Sequence, residues 1–65
     1  MPIPLIGLTG WQVYNGKSSP STAVSEKYTQ AVASAGGIPV IIPLHLAEDA
    51  LGELAARLDG FLFPG

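Results

Sequence analysis

Three short apolar runs alternate with two stretches of helical periodicity, and that alternation restricts what this chain can become. The runs are Ile3-Pro4-Leu5-Ile6-Gly7-Leu8, Ile38-Pro39-Val40-Ile41-Ile42 and Phe61-Leu62-Phe63. Short apolar runs bounded by Pro and Gly are the mark of buried strands. Pro4 falls near the start of the first run, where a missing N–H matters least, and Pro43 closes the second. Ser21 to Ala35 reads as a helix, because Val24, Tyr28, Ala31, Val32 and Ala35 form one apolar stripe at helical spacing. Gly36-Gly37 stops it, since Gly tolerates the left-handed conformation needed there. Ala47 to Leu58 reads as a second helix, with Ala50, Leu51, Leu54, Ala55 and Leu58 on its buried side. Glu48 and Asp49 in its first turn and Arg57 in its last match the helix dipole. Gly52 inside it costs about 1 kcal/mol relative to Ala. The order is therefore β-α-β-α-β. One helix per crossover predicts parallel strands and right-handed connections. That is half of a doubly wound α/β sheet.

Composition points the same way. A chain of 65 residues forms at most one small domain and buries only about 60% of its unfolded surface. Such domains need disulfides, a metal or a partner. There is no Cys, and the single His, His45, does not make a closed metal site. Hydrophobic residues make up 48% and charged residues 12%, against about 25% charged in ordinary domains. This balance suits the interior part of a larger α/β domain, whose parallel strands are apolar on both faces. The expectation is that residues 1–65 are the N-terminal part of one domain, stabilised by its remainder or by a partner chain. The net charge is -2, and Lys17, Lys27 and Arg57 are scattered, so there is no basic footprint for nucleic acid. The uncharged stretch from Met1 to Gly16 contains Pro2, Pro4, Gly7 and Gly10 and has no basic n-region. It reads neither as a signal peptide nor as a membrane span, and the expected location is the cytoplasm.

The loops hold the candidate chemistry. Thr9 to Pro20 is long for a βα connection, which usually takes about two to six residues. Within it Gly16-Lys17-Ser18 invites comparison with a phosphate-binding P-loop. The spacing from Gly10 is one residue too long, and Pro20 removes a further N–H donor. Gly7-Leu8-Thr9-Gly10 stands where a dinucleotide fingerprint would stand, but GxGxxG is absent; no cofactor is expected. His45 follows the second strand without a Ser, Cys or carboxylate arranged beside it, and reads as a solvated loop or N-cap residue. Glu48, Asp49, Glu53 and Asp59 read as solvated helix and turn residues. Trp11 and Tyr14 either line a substrate pocket or cover the edge of the sheet.

Four pieces, taken in order, carry a resemblance. They are Pro4-Leu5-Ile6-Gly7-Leu8-Thr9-Gly10, then Tyr28-Thr29-Gln30-Ala31-Val32 with Ala35-Gly36-Gly37-Ile38-Pro39-Val40-Ile41-Ile42-Pro43, then Leu58-Asp59-Gly60, then Phe61-Leu62-Phe63-Pro64-Gly65. In this order and spacing the chain resembles the N-terminal part of class I glutamine amidotransferase-like hydrolases, and within them the gamma-glutamyl-gamma-aminobutyrate hydrolase and gamma-glutamyl hydrolase group. The resemblance implies a flavodoxin-like three-layer fold. It also implies a Cys-His-Glu triad that cleaves a small gamma-glutamyl amide through a thioester. No triad residue can be assigned in this chain, which has no Cys and whose His45 does not match the catalytic His. One element carries over in part. Pro64 and Gly65 match the first two residues of a PGG-type turn whose backbone N–H groups help form the oxyanion hole.

The sequence thus stops where a functional loop is expected to begin, because open α/β sheets bind ligands beyond the carboxyl ends of their strands. The leading expectation is the N-terminal segment of a gamma-glutamyl amide hydrolase, inactive by itself. Two other readings stay open. One is a non-catalytic α/β binding or interaction module, since fold alone does not set function. The other is a nucleotide-binding domain using Gly10 to Ser18.

Overall fold

The β-branched run and its two apolar companions pair as one parallel sheet in a computed structural model, which describes residues 2–14, 16 and 19–64. The first strand, β1, spans Leu5–Thr9. A hairpin of β2 (Trp11–Val13) and β3 (Ser21–Ala23) follows, then helix α1 (Glu26–Ser34), strand β4 (Ile38–Ile42), helix α2 (Glu48–Arg57) and strand β5 (Gly60–Leu62). The sheet order is β4-β1-β5. Both pairings are parallel, with Leu5 opposite Ile38 and Ile6 opposite Gly60. The expected β-α-β-α-β core and its parallel strands are therefore present, and they form part of a flavodoxin-like sheet.

The segment before α1 departs from expectation. Ser21–Ala23 is strand, not the first turn of a helix, and pairs antiparallel with Trp11–Val13, Trp11 lying opposite Ala23. The helix starts at Glu26, with Ser25 in extended conformation at its N-cap. The apolar spacing of Val24 with Tyr28 continues the helical period by coincidence, while Val24 lies before the helix. Of the predicted stripe, Val32 is buried, but Ala31 and Ala35 are exposed. The second helix is one residue shorter at each end than expected.

The helix stop at Gly36-Gly37 follows the predicted device. Gly36 has φ +96. Its N–H donates to the Ala33 carbonyl at 3.1 Å, and the Gly37 N–H reaches back to the Val32 carbonyl at 3.0 Å. These two bonds satisfy carbonyls that the helix end leaves open.

The two helices cover opposite faces of the sheet. Side chains alternate along a strand, so Ile6 and Gly7 point to opposite sides. A Cβ on Gly37 would touch Ile6 and Val32 of α1 at 3.1 Å, which fixes the α1 side. On the other side a Cβ on Gly7 would lie 2.6 Å from Leu58, just beyond α2, and 2.8 Å from Ile42. Gly7 is thus the gap into which those two side chains fit. The core is small: Leu8, Val32 and Ile42 are its buried apolar side chains among the described residues.

Much apolar surface stays open. The accessible area is 4733 Å², against about 3,900 Å² for a self-contained globule of this mass. The radius of gyration is 12.9 Å, where a compact domain of this length gives about 11 Å. Phe61 and Phe63, stacked at 6.1 Å between centroids, are exposed along β5.

Asp59 does more than its expected role as a solvated turn residue. Its carboxylate accepts the Leu5 N–H at 2.8 Å, and its own N–H donates to the Leu5 carbonyl at 2.8 Å. The Ile38 N–H donates to the Pro4 carbonyl at 2.8 Å. The start of β1 is therefore tied to both neighbours before the ladder begins.

Two substitutions test these devices by urea denaturation of the protein that carries this segment. Asp59→Ala is expected to cost about 1 kcal/mol, the net worth of one such hydrogen bond. Asp59→Asn keeps an acceptor oxygen and should restore most of it. Gly36→Ala meets no atom within 4 Å, so its expected loss of about 1 kcal/mol is purely the cost of the left-handed backbone.

Candidate functional site

The sheet order decides where a site can form. From β1 the chain crosses to one side to make β4, then crosses back over β1 to make β5. The strand order reverses between β1 and β5. In doubly wound sheets ligands bind at this switch point, outside the carboxyl ends of the strands. Three connections leave that edge: Gly10 into the hairpin after β1, Pro43 to Ala47 after β4, and Phe63-Pro64 after β5.

A crevice of about 440 Å³ opens there, on the α2 side. Its floor comes from Thr9, Gly10 and Ile42 at the strand ends, and its walls from Leu51 and Ala55 of α2 and from Phe61 and Phe63. The lining is apolar because β5 and α2 present aromatic and aliphatic side chains with no further element over them. Leu44, His45 and Leu46 close the side nearest β4.

His45 lies in this crevice wall, exposed, with φ +61. The left-handed region is uncommon for a residue with a Cβ, although His is among those enriched there. It is the sharp corner that turns the chain from β4 into α2. The expectation of a solvated loop residue fits its exposure; its place beside the crevice was not foreseen.

No side chain here is set up for acid, base or nucleophilic work. Among the described residues none that is polar or charged is buried. No cluster of His, Cys, Asp and Glu among them could hold a metal ion. No helix among them is long and apolar enough to cross a membrane. The Arg57–Glu53 pair, 3.2 Å apart, is exposed on α2 and supports only its helix.

The structure separates the sequence candidates. Trp11 lies on β2, partly exposed, and Tyr14 just beyond it, well exposed; neither lines the crevice. The Tyr14 hydroxyl donates to Gln12 Oε1 at 2.9 Å. Pro64 follows β5 at the switch point and is half-buried, while Gly65 lies outside the described residues. Gly16 has φ +62, and Lys17 and Ser18 lie outside the described residues. A P-loop needs a helix N-terminus directly after its glycine-rich turn. Here strand β3 intervenes, which removes the geometric basis of the nucleotide reading.

Sequence reasoning missed the hairpin. Each of its strands is only three residues long, too short for a period-2 pattern to stand out in the sequence. Gly10 makes the hairpin possible. A Cβ there would lie 2.7 Å from the Ala23 carbonyl oxygen and 2.9 Å from Thr22.

A parallel sheet in flavodoxin-like order, with its crevice at the switch point, is the frame of a class I glutamine amidotransferase-like α/β protein. The family model described as Peptidase C26 matches residues 4–65, and the chain belongs to that family. It is 34% identical over 67 aligned positions to a glutamine amidotransferase-like protein of Rickettsia prowazekii, covering 95% of this chain and 23% of that protein. It is 42% identical over 50 positions to the gamma-glutamyl-gamma-aminobutyrate hydrolase of Escherichia coli K12, covering 75% of this chain and 20% of that enzyme. The corresponding hydrolase of Shigella flexneri is 41% identical over 49 positions, 74% of this chain and 19% of the enzyme. The chain thus spans about a fifth to a quarter of the length of these curated relatives.

Gly10→Ala tests the close approach at the hairpin root. Its Cβ meets backbone, which cannot swing aside, so the hairpin should be displaced while the parallel sheet stays paired. In the protein that carries this segment the expected result is a red-shifted Trp11 emission, taken as the difference from a Trp11→Phe control, with little change in far-ultraviolet circular dichroism.

Proposed function

We propose that this chain is the N-terminal βαβαβ segment of a hydrolase that cleaves small gamma-glutamyl amides. One observation carries the reading: in a chain belonging to the Peptidase C26 family, β5 runs out at the switch point into Pro64, which Gly65 follows in sequence. The names of the Escherichia coli and Shigella relatives support gamma-glutamyl-gamma-aminobutyrate or a similar amide as substrate.

The chemistry follows an activated-nucleophile scheme. A Cys thiolate attacks the gamma-carbonyl, a His accepts the thiol proton and later gives it to the leaving amine, and a Glu orients the His. Water then hydrolyses the thioester. The chain has no Cys, so the nucleophile and its partners come from other residues of the same protein. This segment contributes backbone. Pro64 has no N–H, so donors to the oxyanion start at Gly65, where a missing side chain lets the backbone approach closely. Donors aimed at a developing oxyanion are worth about 3 kcal/mol each. The open flanks of β5 are covered by further elements of the same protein.

The product of the full reading frame is expected to release glutamate from gamma-glutamyl-gamma-aminobutyrate and to lose that activity on treatment with iodoacetamide. The 65-residue segment alone should show none. Activity that survives complete thiol alkylation would overturn the mechanism. Cooperative, monodisperse folding of the isolated segment would favour the non-catalytic module instead.

A further inference from the structure

The β2–β3 hairpin has no part in the chemistry above, yet it stands at the mouth of the crevice. It leaves the carboxyl end of β1 after one residue, Gly10, which lines the crevice. Its root is held there, because Gly10 lies against Thr22, Ala23 and Val24. Neighbouring strands are about 4.8 Å apart, so this root lies one strand from the turn that β5 enters at Pro64. Side-chain alternation divides the hairpin into two sides. Gln12 and Tyr14 share one, joined by their hydrogen bond. Trp11 and Val13 share the other, and Trp11 follows directly on Gly10, a crevice residue. Trp11 is 43% exposed, an apolar plane left uncovered at the end of the switch-point strand.

We infer that the hairpin is the specificity arm of this site and that Trp11 contacts the amine portion of the gamma-glutamyl amide; this rests on the hydrolase reading above. The glutamyl half of such a substrate ends at the scissile carbonyl, beside the turn after β5. The amine half must then project away from the strand ends, toward what stands beyond them. An indole offers broad apolar area with little rotamer freedom to lose, which suits an aliphatic amine chain. Tyr14, engaged with Gln12 on the opposite side, is not assigned this contact.

The test uses the full-length protein and two probes, gamma-glutamyl-n-butylamide and gamma-glutamylmethylamide. Trp11→Ala should lower kcat/KM for the butylamide about tenfold, the scale of a lost apolar pocket contact, chiefly through KM. It should leave the methylamide within about twofold, and Trp11→Phe should restore most of the butylamide rate. An equal fall on both amides, or an unchanged ratio, overturns the inference while the hydrolase reading stands. If the wild-type protein cleaves neither amide, the hydrolase reading fails and the inference falls with it.

Discussion

The structure depends on the backbone of β1 being paired on both sides. A central parallel strand has N–H and C=O groups directed to its left and right, and buried ones must find partners. Those partners come from two different crossovers, β4 through α1 and β5 through α2. Right-handed crossovers to opposite sides of one strand place their helices on opposite faces. The fully buried Leu8, paired on both sides near the carboxyl end of the strand, lies where these requirements meet. The location of the crevice is not a separate property. It follows from β1 having neighbours reached in opposite directions.

The elements that could be read from sequence are those whose cause is local. Gly36-Gly37 stops α1 through backbone freedom, and the run Ile38–Ile42 makes a strand through β-branching and apolarity. The parallel sheet follows from their alternation. What could not be read was either accidental or distant. The periodicity of Val24 with Tyr28, Ala31 and Val32 mimics a longer helix, because one matching residue outside an element cannot be told from one inside. The bond from Leu5 to the Asp59 carboxylate spans 54 residues, and no window of sequence joins them.

The candidate site was legible only in part. Its position followed from the fold, and Pro64 stands at that edge after β5. The aromatic residues of the long loop were noticed, but the sides they occupy depend on the hairpin pairing. His45 was placed in the right loop, though not in the crevice wall, since its role there is a backbone corner. The shortage of charge in the composition reappears as the open apolar flanks of β5. Both express a supply of apolar side chains larger than this segment's own core can use.

The position of β1 in the chain has a consequence for synthesis. The central strand is made first, and its second neighbour, Gly60–Leu62, is made last among these elements. During translation β1 and β4 can pair as soon as α1 has formed, but one edge of β1 waits until residue 62 clears the ribosome. At roughly 5–20 residues per second, the 20 positions from Ile42 to Leu62 give that edge about one to four seconds of exposure. For that interval the central strand of this sheet is an open template, and the speed of elongation through α2 sets how long it stays so.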